Sequence, residues 1–475
     1  MKTLDPRYAV PSRTHFSAVV IPGLYDKTRK AIESDLAKTE SLALTTDSWT
    51  SRATQSYMTV TVHYMLDWQM KSAVLQTRPL YESHTSAHLA EELKNAVTEW
   101  KLERPNTTIP VATDNAANIV NAVNETVELG PQIGCFAHTV NLAAKRAVSI
   151  NGVSRLLGKV KKVVTFFHRS TTANQALAVK QEMLNLPKHK LINDVITRWN
   201  TSHDMLSRYV EQQPAIYSAL TMDKNLRSHV TAIAMLTDGE QKMAEQLIEV
   251  LKPLKTVTTL MSSETTPTIS MILPLKEMIL KSMVPGDEDS TVIKEAKEAI
   301  AHDLDRRYTN PDLQKYLQKA TALDPRFKSQ PSLDESSLDR LYKDLATEIL
   351  EYEPQRQAET MPPTEGQESA SPPPKKTAMP KALSQIVEDE VASYRLADSI
   401  GVDADPFMWW KTNECKFPHV AKAAKRLLCV PGTSFPSERI FSTAGDIVSA
   451  NRSRLAPDSV DRLIFLHKNL SIVDE

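Results

Sequence analysis

Two aspartates and one glutamate stand in this 475-residue chain where their carboxylates could share metal ions. Asp47 (in ALTTDSWT) and Asp114 (in PVATDNAAN) end apolar, strand-like runs, while Glu438 (in SFPSERIFSTAG) opens a helix just behind Pro436. Carboxylates are hard oxygen ligands, and three of them together can hold two divalent cations. Such a pair of ions serves phosphodiester chemistry: one activates the attacking oxygen and the other stabilises the leaving one. Glu438 lies hundreds of residues beyond Asp114, so a whole helical domain must fit between them in sequence. Taken singly, each acid has a plainer use. Asp47 serves as a turn former, Asp114 as a helix cap and Glu438 as a first-turn charge favoured by the helix dipole.

The elements that must position these acids are legible between residues 40 and 130. A first strand covers Leu42 to Asp47. A second alternates through Met58, Val60, Val62, Tyr64 and Leu66, turns at Asp67-Trp68, and is followed by a third from Ser72 to Leu80. A helix then carries Leu89, Leu93, Ala96, Val97 and Trp100 on one face. After it come a strand from Ile109 to Asp114, a helix through Ile119, Ala122, Val123 and Val127, a short strand from Gln132 to Cys135 and a helix from His138. The order βββαβαβα matches the core of the ribonuclease H fold, whose mixed sheet places its acids at the ends of the first and fourth strands. From 150 to 350 the period is helical, with segments near 153–184, 196–222, 239–263, 268–283, 291–308 and 335–351. Seven prolines between Pro354 and Pro380, mixed with Gly, Ser, Glu and Lys, predict a disordered linker. Beyond it the pattern is helical again and ends on an apolar stripe of Val460, Leu463, Ile464, Leu466 and Leu470. The LDPRY at Leu4–Tyr8 recurs as LDPRF at Leu323–Phe327, which reads as a reused turn and not as an internal repeat.

Composition excludes several classes. Glycine is scarce, at 11 residues, and no GxGxxG or GxxxxGK[ST] run occurs. Three cysteines, Cys135, Cys415 and Cys429, suit a reducing compartment and no disulfide framework. No secretory signal or membrane-length apolar run is present, so a soluble intracellular protein with no membrane partner and no small-molecule substrate is expected. Net charge is −1 overall, yet residues 145–190 hold ten Lys/Arg against one acid, Glu182. Lys159, Lys161, Lys162 and Arg169 of this block are candidates for phosphate contact, against the plainer reading of a solvated helix face. Cys135 and His138 form a CxxH pair, which is half a zinc site without a second half, so no zinc is expected. A Cys–His nucleophile would need an orienting third group, and a first-turn histidine that simply packs also fits.

Six ordered motifs now identify a family: TTDSWTS (45–51), TDNAAN (113–118), CFAHTVNLAAK (135–145), TRWNTSHDML (197–206), DPFMWWKTNE (405–414) and SFPSERIFSTAG with NRSRLAPDSVDRLIFL (434–466). Together they resemble transposases of the hAT superfamily and the BED-type zinc-finger proteins descended from them, over nearly the whole chain. The resemblance implies an α/β plus all-α architecture: a ribonuclease H-like mixed sheet interrupted by a helical insertion domain, with C-terminal hAT dimerisation helices. It divides the chain into a lead-in at 1–39, the first part of the core at 40–150, the insertion at 151–352, the linker at 353–383 and the dimerisation region at 384–475. By motif, the roles of Mg²⁺ or Mn²⁺ ligands fall on Asp47, Asp114 and Glu438, with His138 beside the scissile phosphate. Arg198-Trp199 matches a pair that contacts phosphate and stacks an unpaired base. Trp409, Trp410, Phe441, Ile447, Leu463 and Leu466 match the dimerisation segment, which implies a homodimer or higher homo-oligomer. DNA is the implied partner and the nucleus the implied location.

The BED finger itself is absent, and the start so close to LDPRY reads as a chain shortened at its N-terminus. Two activities stay open. One is a metal-dependent strand-cleaving and joining enzyme. The other is a domesticated, non-catalytic regulator of transcription or chromatin.

Overall fold

The computed structural model describes residues 11–51, 54–104, 107–195, 199–222, 235–352, 382–448 and 455–473. Arg198, the LDPRY copy at 4–8 and most of the expected Pro-rich linker lie outside these residues. No helix among the described residues is long and apolar enough to cross a membrane.

The expected mixed sheet is present, in the order β3-β2-β1-β4-β5. Its strands are β1 (Leu42–Thr50), β2 (Ser56–Leu66), β3 (Gln69–Leu80), β4 (Ile109–Thr113) and β5 (Leu129–Gly134). The first three form an antiparallel meander, and β4 and β5 add in parallel beside β1. The parallel additions need crossovers, which α3 (Ser86–Glu99) and α4 (Ala117–Glu125) supply. Alternation in β2 is weaker than expected because the strand is buried on both faces from Tyr57 to Met65. Strand β1 runs three residues past Asp47. The cause is Trp49, which pairs with Tyr57 across the ladder and stacks on its ring with centroids 4.7 Å apart.

The β2–β3 turn shows what the sheet leans on. Asp67 (φ 46°) and Trp68 (φ 61°) both occupy the left-handed region, which matches strand twist but strains a bulky residue. Trp68 is held there by tertiary contacts. Its indole stacks on Trp410 at 5.6 Å and 6°, its Nε1 donates to Glu414 Oε2 at 2.7 Å, and Lys411 bonds Asp67 at 2.8 Å.

After β5 the chain is helical: α5 (Phe136–Val148), α6 (Asn151–Arg169), α7 (Thr171–Met183), α8 (Trp199–Met222), α9 (Asp238–Leu260), α10 (Ile272–Ser282), α11 (Thr291–Asp305), α12 (Pro311–Ala322) and α13 (Glu335–Tyr352). The expected helix over 153–184 breaks at Ser170, whose hydroxyl accepts from Ala173 N at 3.1 Å and caps α7. Helix α12 falls outside the segments expected from periodicity. Its start is marked all the same, by Asn310 accepting from the backbone N–H groups of Asp312 and Leu313 and by Pro311 in the first turn. The LDPRF turn packs inward: Asp324 is fully buried, pairs with Arg326 and accepts from Ser270 Oγ at 2.7 Å.

The C-terminal helices are α14 (Leu383–Leu396), α15 (Pro406–Asn413), α16 (Pro418–Leu428), α17 (Phe435–Ile447) and α18 (Pro457–Asn469). They close the structure on itself. At the front of the chain α1 (Arg13–His15) leads into α2 (Ile21–Ala37), whose Ile32 and Leu36 share a core with Phe465 and Leu466 of α18. Asn469 offers its amide to the outer edge of β3: Oδ1 accepts from Val74 N at 3.0 Å and Nδ2 donates to Val74 O at 2.7 Å. One side chain thus does for that edge residue what a further strand would do.

This packing corrects the dimerisation assignment for Trp410 and Leu466, which are buried within the chain. Trp410 is fully buried between Trp68 and Tyr394, and Trp409 packs on Tyr394 and Phe417. Phe441 and Ile447 lie against the core containing Trp49 and Tyr57, and Leu466 is buried against the sheet's own core. Leu463 is half-buried. An apolar stripe reads the same in sequence whether it faces a partner or its own sheet. Here the sheet takes most of it. Because Trp410 also donates its indole N–H to Leu323 O at 2.9 Å, Trp410→Ala should cost about 3–5 kcal/mol of stability, measurable by urea denaturation.

Candidate metal centre

The site is built from three elements that converge at one end of the sheet. Strands β1 and β4 are adjacent and parallel, with Thr45 opposite Ala112. Carried forward by two residues, that register sets Asp47 beside Asp114. Helix α17 packs across β1 and β2 through Ile440 and Ala444, which lie on Trp49 and Tyr57, and it presents Glu438 from its first turn. There the helix dipole favours an ionised carboxylate, and Ser434 Oγ donates to Glu438 Oε1 at 3.2 Å.

Electrostatics show that the carboxylates share one space. Burial pushes the Asp47 carboxyl up to about 7, and Glu438 and then Asp114 push it the same way, against a single bond from Ser48 N at 2.7 Å. Among the described residues, no cationic side chain is among the groups acting on it. Asp114 turns one oxygen, Oδ1, back to Ala116 N at 3.1 Å. His138, in the first turn of α5, is held below its usual range by burial, partly offset by the nearby Asp114 carboxylate. It is therefore a neutral imidazole beside the acids. Cys135 caps α5, its Sγ accepting from His138 N at 3.4 Å. Burial pushes its thiol up to about 11, and a thiol held protonated is a poor nucleophile. The CxxH pair is thus a cap with a half-buried histidine.

The donor set fits hard divalent cations: oxygen ligands and neighbouring carboxylates that act on Asp47 with the same sign. The spacing is loose. No three His, Cys, Asp or Glu side chains among the described residues lie close enough together to ligate one metal ion as they stand.

The loop into α17 is fixed from two sides. Gly432 N donates to Thr268 Oγ1 at 2.9 Å, and Gly432 O accepts from Phe136 N at 3.0 Å. A Cβ on Gly432 would sit 2.8 Å from Thr268 O, so glycine is required there. Beneath the acids lies a buried polar chain that sequence reading missed: Ser437 Oγ donates to Thr45 Oγ1 at 2.9 Å, and Thr45 Oγ1 bonds His63 Nε2 at 2.9 Å. The available signal was His63, a polar residue inside an otherwise apolar strand.

The other assignments fare unevenly. Lys159 is paired with Glu240 and Lys161 with Asp194 at 3.1 Å, so these two candidates are paired with acids from other segments. Lys162 and Arg169 are exposed. Trp199 is 4% exposed and belongs to the helical core. A ring so enclosed has no free face for a base, which corrects the stacking role.

The Asp47 shift has a pH consequence. In the folded, metal-free chain this carboxyl keeps a proton that the unfolded chain releases near its ordinary value of 3.8. Between about pH 4 and about pH 7 the folded state therefore binds more protons, and stability falls as pH rises. Asp47→Asn should remove this decline. It should stabilise the metal-free protein at pH 8 by about 1–2 kcal/mol, discounted for partial solvent screening, and change little at pH 4. Urea unfolding at both pH values checks this.

Three family models match the chain in order. They are the ZBED1 RNase-like domain over residues 45–130, the ZBED1 RNase-like helical domain over 133–250 and the hAT family C-terminal dimerisation region over 384–470. The human Zinc finger BED domain-containing protein 4 is 28% identical over 508 aligned positions, covering 100% of this chain and 41% of that protein. A Putative transcriptional regulator tpeD from Talaromyces stipitatus is 25% identical, covering 95% of the chain and 57% of that protein. A Putative AC transposase from Zea mays is 24% identical, covering 98% of the chain and 61% of that protein. The chain thus spans roughly half the length of the curated relatives it matches. From the RNase-like sheet to the dimerisation helices, the chain belongs to the hAT transposase-derived proteins that include the BED-type zinc-finger proteins.

Proposed function

We propose that this chain is a nuclear, homo-oligomerising DNA-binding protein whose Asp47, Asp114 and Glu438 hold Mg²⁺ or Mn²⁺ for cleavage and transfer of DNA strands. The observation that carries the reading is the convergence of three carboxylates from β1, β4 and α17, close enough that two of them raise the third. Bound cations would supply an activated oxygen nucleophile and charge stabilisation at phosphorus. The chain's own groups do the rest. The strand register sets Asp47 beside Asp114, the α17 dipole favours ionised Glu438, and neutral His138 can take or give a proton beside the phosphate. The hAT dimerisation region supports assembly with a second copy, and relatives named as transposases and a transcriptional regulator support a nuclear role.

A second reading, a regulator that keeps the fold without catalysis, is favoured by one observation: the carboxylates are not drawn together to ligating distance among the described residues. Mn²⁺-dependent nicking of supercoiled plasmid separates the two. Wild type should nick, and Asp114→Asn should lose on the order of a hundredfold or more while staying folded and DNA-bound. If neither cleaves although both bind DNA, the regulator reading stands.

DNA contact is proposed for exposed Lys162 and Arg169. Charge reversal of either should weaken binding evenly across sequences. It should also lower the salt dependence of log K by about 0.9 for each phosphate no longer neutralised, as measured by salt titration of DNA binding.

A further inference from the structure

We infer that the buried chain Ser437–Thr45–His63 is a positioning device, fixing the seating of α17 on the sheet so that Glu438 faces Asp47 for cation binding. The inference rests on the metal-centre reading above. Ser437 immediately precedes Glu438, and Thr45 lies two residues before Asp47 on β1. The single bond between their hydroxyls therefore links the two ligand-bearing elements directly beneath the ligands. Ser437 and Thr45 are fully buried and His63 nearly so.

Ser437 donates to Thr45, and Thr45 Oγ1 bonds His63 Nε2 at 2.9 Å, with the donor set by the ring's tautomer. Burial drives His63 down to about 3, so the ring stays neutral throughout the neutral range.

Directionality is the reason to assign a positioning role. Among the described side chains, α17 also meets the sheet through apolar contacts, with Ile440 and Ala444 in one cluster with Trp49 and Tyr57. Such contacts hold a helix down but tolerate sliding and rotation. A slip of one residue on a helix turns its side chains by about 100°, which would swing Glu438 out of the site. A buried hydroxyl pair resists that slip, because another register takes the Ser437 hydroxyl away from Thr45, which keeps only its bond to His63.

The test is Mn²⁺ binding to the full chain, followed by calorimetry and by the spin resonance of free Mn²⁺, with folding checked by circular dichroism. Wild type should bind, and Asp114→Asn should not. Thr45→Val and Ser437→Ala should each bind Mn²⁺ ten to a hundredfold more weakly, and the double variant no more weakly than the worse single one, since both remove the same bond. Thr45→Ser should rescue. A purely structural role would lower the melting temperature of these variants and leave the Mn²⁺ dissociation constant unchanged, which would overturn the proposal. If folded wild type binds no Mn²⁺, the metal-centre reading itself fails. Hydrogen exchange of the α17 amides then decides the positioning role alone: faster exchange in Thr45→Val and Ser437→Ala supports it, and unchanged exchange overturns it. Exchange needs no metal and also remains readable for Ser437→Ala should Thr45→Val fail to fold.

Discussion

Closure of the sheet by helices from the far end of the chain is the constraint on which this structure depends. β3 is an edge strand, and an exposed edge is an invitation to pair with another chain. Here α18 covers it, with Asn469 completing both backbone bonds of Val74 and Asp461 accepting from Thr77 N at 2.5 Å. On one face, Trp49 and Tyr57 are sealed by α17. Neither helix has a comparable apolar surface to lie on elsewhere among the described residues. The sheet and the last helices are therefore one folding unit, although hundreds of residues separate them. Pairings of such long range carry a high loop-closure cost and are made late.

That constraint also assembles the chemistry. Glu438 comes near Asp47 because α17 covers Trp49, and Asp114 comes near Asp47 because β4 lies beside β1. The candidate metal centre is thus placed by core packing and by the directional bonds around it. The loop through Gly432 ties the start of α17 at once to Thr268 in the helical region and to the start of α5, which carries His138. Three segments distant in sequence are brought to one corner with few adjustable torsions left between them. Such rigidity suits a site whose function is to fix the places of charges before a substrate arrives.

Much of this was legible in the residues, for reasons that also explain what was not. The existence of the strands, their order along the chain and the place of the Asp67-Trp68 turn follow from local periodicity, and the helix carrying Glu438 follows from Pro436. Features decided by tertiary partners were not legible. Trp199 beside Arg198 and Trp410 beside Trp409 look alike as exposed recognition rings or as core, and only the presence of Trp68, Tyr394 and the surrounding helices makes Trp410 core. The basic run at 145–190 reads as a patch until Glu240 and Asp194 arrive from other segments to pair with it. Helix α12 is a different case, since its Asn310-Pro311 start is written in the sequence. His63 carried the one neglected clue, since a histidine buried in the middle of a strand requires a partner.

The raised Asp47 carboxyl expresses a balance of burial and charge. Burial and neighbouring carboxylates both favour a held proton, and Asp47 shows that response. A divalent cation would reverse it, displacing the proton from Asp47 and offsetting the repulsion among the carboxylates. The metal-free geometry of an acid cluster is therefore a poor guide to its bound geometry. The stronger evidence is what the scaffold does to hold the three groups near one another. Here that is a parallel strand register, a required glycine and a buried hydroxyl pair, each an interaction whose removal would let the acids drift. A fold kept only for its bulk would need the apolar packing of α17 and none of these directional bonds.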